Sequence, residues 1–135
     1  MSYSWDQAWN TGHELVDAEH QALVVIINDL SEICNNNPNQ ETISAKLNEL
    51  AEHTVTHFGD EEKIMLEYSY PQYEVHKKQH DNFVATALQI ISEYQTNHSI
   101  PDLLQAVDQT IVTWLVKHMK GSDKHFTGYV LAKEA

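Results

Sequence analysis

The sequence has no arginine and a single cysteine, Cys34, and each scarcity narrows what the 135-residue chain can do. The basic residues are eight lysines set against 20 acidic residues, giving a net charge of −12 at pH 7. No basic face is available to neutralise phosphates, which argues against nucleic acid as a partner and against an anionic membrane surface. One cysteine cannot build a disulfide framework, so a reducing, cytoplasmic setting is expected, with Cys34 packed as a small apolar residue. The longest apolar run, ALVVII at 22–27, falls far short of the ~20 residues a membrane-spanning helix needs. The opening MSYSWDQAW has neither the basic nor the apolar region of a signal peptide. A chain of this length buries roughly 65–70% of its unfolded surface on folding and is expected to form one domain over residues 1–135.

Four stretches carry apolar residues at three- and four-residue spacing, the mark of amphipathic helices. They run from about Asp17 to Asn36, Glu41 to Leu66, Gln72 to Gln95 and Asp102 to Lys120. NNNPNQ at 35–40 is a turn cluster. Ser69 stands three residues before Gln72, with Pro71 between them, which reads as a capping box opening the third helix. Ser99, Pro101 and Asp102 repeat the pattern at the fourth, Asp17 is the expected cap of the first, and Gly121 is expected to break the fourth. Such short loops make consecutive helices antiparallel neighbours. The expected fold is all-α, an up-down-up-down four-helix bundle. An N-terminal arm would lay Trp5 and Trp9 over one edge, and the tail KHFTGYVLAKEA would form a short C-terminal helix.

What the chain has in excess is histidine, nine in all. His76 and His80 in VHKKQH are four residues apart, which places two imidazoles within roughly 40° of each other on a helix and about 6 Å apart along it. That geometry suits two ligands of one metal ion, but a lone HxxxH is common on helix surfaces. The other helices decide the matter. The core stripes read His20, Leu23, Val24, Ile27 in the first and Leu50, Thr54, His57, Glu61, Ile64 in the second. They read Tyr73, His76, His80, Phe83 in the third and Ile111, Trp114, Leu115, His118 in the fourth. Each unsatisfied polar group in a core costs several kcal/mol, and a buried charge must be paired or bind metal. One shared metal centre meets all those demands together. The donors are imidazole and carboxylate without thiolate, which suits iron over a cysteine-rich zinc site. Their number exceeds one ion and points to a di-iron arrangement in a bundle core.

With these residues in place the sequence resembles the hemerythrin family, in particular bacterial hemerythrins and hemerythrin-like domains. The resemblance rests on DAEH at 17–20, HFGDEE at 57–62, YPQYEVHKKQH at 70–80 and WLVKHMKGSD at 114–123, in the family's order and over nearly the whole chain. It implies His20 and His57 on one iron, His76, His80 and His118 on the other, and Glu61 and Asp123 as bridging carboxylates beside an oxo or hydroxo bridge. Asp123 lies about 140° around an ideal helix from His118, and Gly121 offers a place for the chain to leave α geometry. Counting octahedral positions leaves one open, on the iron held by His20 and His57, where the resemblance places dioxygen. Leu23, Phe58, Trp114 and Leu115 are the expected pocket residues, Trp114 being read chiefly as a core residue. Glu19 is a candidate to orient a neighbouring imidazole. Tyr70 matches a family tyrosine, whereas Phe126 stands where some members have one. Asp60 and Glu62 are expected on the solvated acidic face, and His13, His53, His98 and His125 receive no role.

The implied function is reversible dioxygen binding, as a carrier, a store or a supplier to a client oxygenase. The alternative is an oxygen or redox sensor joined to a signalling output domain; no such module is visible after Gly121. A di-iron oxidase or peroxidase is disfavoured. Oxygen-activating di-iron sites are carboxylate-rich with Glu-x-x-His pairs, and no such pair lies on a core face, so no enzymatic activity is expected.

Overall fold

The computed structural model describes residues 2–135. It is all-helical among those residues, and α1 (Glu14–Asn36), α2 (Gln40–Glu67) and α3 (Tyr73–Asn97) form the first three rods of a four-helix bundle. The fourth rod runs continuously from Ile100 to Glu134. It comprises α4 (Ile100–Ala106), a π-helical stretch at Val107–Val112, α5 (Thr113–His118), a second π stretch at Met119–Asp123, and α6 (Lys124–Glu134). No described helix is long and apolar enough to cross a membrane.

Local chemistry explains the ends. The first helix starts at Glu14, earlier than periodicity alone predicts, because the His13 imidazole nitrogen accepts from the Val16 N–H and caps it. Asp17 is not the cap. Its carboxylate accepts from Thr11 N, Thr11 Oγ1 and Gly12 N at 2.7–3.0 Å and ties down the incoming arm. Asn39 caps α2 and Ser99 caps α4, the latter as its spacing to Asp102 predicts. Ser69 does not open α3. It ends α2 in the left-handed region, φ +52°, with Ser69 N bonded to Leu66 O and Tyr70 N to Met65 O. That pair of bonds is the Schellman arrangement, and the buried side chains of Tyr70 and Met65 pack in one cluster beneath it.

Gly121 does not break the fourth rod either. The residues flanking it keep right-handed helical angles through a wide turn and on into α6. The bundle has two apolar bodies. The larger contains Leu23, Ile27, Leu30, Leu47, Phe83, Ile111 and their neighbours. The smaller contains Val16, Met65, Tyr70, Phe126 and Val130. The buried histidines and carboxylates gather where these two clusters meet. Trp5 and Trp9 of the arm meet edge to face at 5.2 Å and pack on the larger body, over one edge as expected.

Candidate metal centre

The layer between the two apolar bodies is polar. His20, His57, Glu61, His76, His80, His118 and Asp123 are all 5% exposed or less. His57 and Glu61 are one turn apart on α2, as are His76 and His80 on α3, so each pair shares a face. Asp123 joins them through the second π stretch. Hydrogen bonding at i→i+5 widens the turn, so residues five apart come nearly into line. Asp123 therefore lies on the His118 side of the rod, with Asp123 Oδ1 3.2 Å from His118 Nε2.

The donor atoms sort into two groups that share both carboxylates. Glu61, His76, His80, His118 and Asp123 form one, and His20, His57, Glu61 and Asp123 the other, with the donor atoms of each group within 4.8 Å of one another. The oxygens divide accordingly. Glu61 turns Oε2 to His57 Nε2 at 3.2 Å and Oε1 to His80 Nε2 at 3.2 Å. Asp123 turns Oδ2 to His20 Nε2 at 3.0 Å and Oδ1 to His76 Nε2 at 3.1 Å. Each carboxylate thus spans the two groups. His118 Nε2 also sits 3.0 Å from His76 Nε2 and 3.2 Å from His80 Nε2, so nitrogen faces nitrogen.

These atoms fit a metal pair and fit little else. His57 Nε2, His20 Nε2 and all four oxygens of Glu61 and Asp123 are buried without a properly formed hydrogen bond. Leaving so many buried polar atoms unpaired costs about 1–3 kcal/mol each, and cations at the centre of the two groups would engage them all.

The outward nitrogens are held as metal-binding imidazoles usually are. His57 Nδ1–H donates to Glu19 Oε1 and His80 Nδ1–H donates to Glu62 Oε2, each at 2.8 Å. Glu19 orients an imidazole as its place beside His20 led us to expect. Glu62 is a correction. It points not to solvent but to α3, and periodicity within α2 missed it because the edge of a helix facing a neighbour carries no apolar signature. Phe58 stacks on His80 at 3.8 Å and 2°. Trp114 stacks on His118 at 4.3 Å and 14°, and on Phe83 at 4.1 Å.

Electrostatics follow the geometry. Burial pulls the His57 imidazolium down, but the charge of the adjacent Glu61 carboxylate and the hydrogen bond to Glu19 outweigh it and push His57 up to about 10. Burial likewise opposes the charged form of His76, and the close Asp123 and Glu61 carboxylates push it up to about 9. Burial pushes Glu61 up, yet the His57 charge and the close imidazoles of His20 and His76 hold it well below the carboxylate range. Asp123 is also held low, against burial and the Glu61 charge, by His118, His20 and His76. Burial keeps His118 below its ordinary value.

An apolar cavity of about 20 Å³ lies one turn from the site, lined by Leu23, Phe58 and Leu115 together with Ile27, Thr54 and Phe83. Trp114, grouped with these three in the sequence, does not line it, because its ring is spent on the stack between Phe83 and His118. Tyr70 meets His125 Nδ1 through its hydroxyl and Phe126 with its ring at 5.6 Å. His53 is half-buried, with Nε2 3.4 Å from the Glu19 carbonyl.

A four-helix bundle whose core gathers histidines and two shared carboxylates has the kind of side-chain cluster with which helical bundles hold metal. The chain belongs to the hemerythrin family: residues 11–130 match the model for the hemerythrin HHE cation binding domain. It is 32% identical to a myohemerythrin from Theromyzon tessulatum over 126 residues, 93% of this chain and 92% of that protein. It is 25% identical to a bacteriohemerythrin from Stenotrophomonas maltophilia over 95% of this chain and 81% of the relative. A crystal structure of a wild-type hemerythrin superposes with a TM-score of 0.82 at 24% identity, covering 93% of this chain and 95% of the other. That likeness establishes the four-helix bundle fold.

Proposed function

We propose that this protein binds dioxygen reversibly at a di-iron centre, as a carrier, store or supplier of the gas in the cytoplasm, and that it is not an enzyme. The observation that carries the reading is the inequality of the two donor groups around shared carboxylates. One side has three histidines and the other two. His20 and His57 with Glu61 and Asp123 would hold one ion, and His76, His80 and His118 with the same carboxylates the other. Imidazole and carboxylate donors suit iron. The side with two histidines has one donor fewer, which leaves room for an external ligand. The family membership and the likeness to a bacteriohemerythrin and a myohemerythrin support the same reading.

When bound, a di-iron centre supplies electrons to dioxygen and recovers them on release. The chain's own residues set the conditions. Leu23, Phe58 and Leu115 keep the adjoining space hydrocarbon-lined, which favours an apolar gas and slows water and protons. Glu19 and Glu62 fix the tautomers of His57 and His80, so that Nε2 presents its lone pair inward and gains basicity. The stacked rings of Phe58 and Trp114 hold His80 and His118 against rotation.

Metal analysis of purified protein tests this, joined to a spectrum taken before and after air is admitted to the reduced sample. Two irons per chain are expected, with a charge-transfer band that appears in air and disappears under vacuum. His57→Ala should abolish gas binding. Unaltered reversible uptake by that variant would contradict the assignment. A band that decays irreversibly while consuming an added substrate would make the protein an enzyme instead.

A further inference from the structure

The N-terminal arm walls a second apolar cavity. Tyr3 and Trp9 of the arm face Ile27, Val112, Leu115 and Met119 of the bundle across a space of about 10 Å³. Ile27 and Leu115 also line the 20 Å³ cavity beside the site. The two spaces therefore lie in series, divided by two side chains, and both are lined almost wholly by hydrocarbon. A void needs roughly 10–15 Å³ to hold one water-sized molecule, and an apolar one stays dry. The inner space exceeds that bound and the outer one just meets it.

Hydrogen bonds tie the outer wall to the bundle. The Tyr3 N–H donates to Asn28 Oδ1 and the Tyr3 carbonyl accepts from Asn28 Nδ2, both at 2.8 Å. The Tyr3 hydroxyl donates to Asp108 Oδ1 on the first π stretch. These bonds are only partly buried, as befits a segment that opens locally at small cost. Neither Asn28 nor Asp108 belongs to the polar layer.

We propose that a small apolar gas reaches the site beneath the N-terminal arm, through the outer cavity, and that the Tyr3 latch to Asn28 and Asp108 sets how fast it passes. The ligand class is an apolar diatomic or noble gas. Hydrocarbon walls on both spaces turn away ions and water. The identity of the gas as dioxygen rests on the function proposed above; the route does not.

Two variants of the full-length, metal-loaded protein test the route from opposite sides. Val112→Phe fills the outer space from its half-buried rim without touching the inner one. It should slow dioxygen association and dissociation several-fold, by the same factor, and leave the equilibrium affinity alone. Asn28→Ala combined with Asp108→Ala removes these three bonds and should speed both rates by roughly a hundredfold, the effect of losing three hydrogen bonds of ordinary net strength. Unchanged rates in both variants, or a change in affinity without matched rate changes, overturn the proposal. Krypton-pressurised crystals supply a readout independent of dioxygen. Gas density is expected in both spaces of the native protein and should leave the outer one in Val112→Phe. Density confined to the inner space, or none in either, overturns the route. If the protein binds no dioxygen yet krypton occupies both spaces, the functional reading fails and the route stands.

Discussion

Loading the site with metal must displace protons, and the geometry fixes how many. In metal-free protein at pH 7 the two low-lying carboxylates of Glu61 and Asp123 are balanced by protons on His57, pushed up to about 10, and His76, pushed up to about 9. A metal ion accepts only the deprotonated imidazole, so binding at neutral pH should release at least two protons per chain, and His20, pushed up against burial by Asp123 and Glu61, adds to that count. At 1.36 kcal/mol per proton per pH unit, the apparent affinity for the metal pair should weaken about a hundredfold for each unit between pH 9 and pH 7. Anaerobic titration of metal-free protein with ferrous iron in weakly buffered solution, followed by an indicator dye, counts the protons. Calorimetry in two buffers of different ionisation enthalpy counts them again. Release of less than one proton with two ions bound, or an affinity that stays flat from pH 9 to pH 7, would refute the electrostatic reasoning.

The same shifts set a stability window for the metal-free protein. His57 and His76 bind protons more tightly when folded, so their contribution is complete below the ordinary imidazole value of about 6.5 and disappears as pH rises through 9 to 10. Glu61 and Asp123 do the reverse, contributing above the ordinary carboxylate value of about 4 and losing that contribution as pH falls. Melting temperatures should peak between about pH 4 and pH 6.5 and fall on both sides. Gly121→Ala should leave metal content intact and raise stability by up to about 1 kcal/mol, because an added Cβ at this helical position meets nothing within 4 Å; loss of metal would restore a special role to the glycine. Ser69→Gly should stabilise the fold by about 1 kcal/mol in urea unfolding, by relieving a left-handed backbone in a residue with a side chain.

The residues legible in the sequence were those that obey the helical period. His20, His57, Glu61, His76, His80 and His118 continue apolar stripes, so spacing alone places each on an inward face. Asp123 breaks that period because the rod gains a residue in the π stretch, and only the likeness of WLVKHMKGSD to the hemerythrin family pointed to it. Glu62 was misplaced because its partner, His80, belongs to another helix. The ends of elements were misread where one pattern has two meanings. Ser69 before Gln72 looks like a cap looking forward, but it closes the preceding helix looking back. At the start of α1 an imidazole served as the cap, a role for which Asp17 was the obvious candidate by residue type.

The wide turn at Met119–Asp123 makes the last part of the rod sensitive to hydrogen-bond register in a way that composition does not reveal. Were these same residues held in the ordinary i→i+4 register instead, everything downstream would rotate by about 90°. Asp123 would swing out of the polar layer, and Phe126 and Val130, both wholly buried, would turn toward solvent together. Deleting one residue from 119–122 would instead leave Asp123 four residues after His118 and on the same side of an ordinary α-helix, so the surplus residue and the wide turn come or go together.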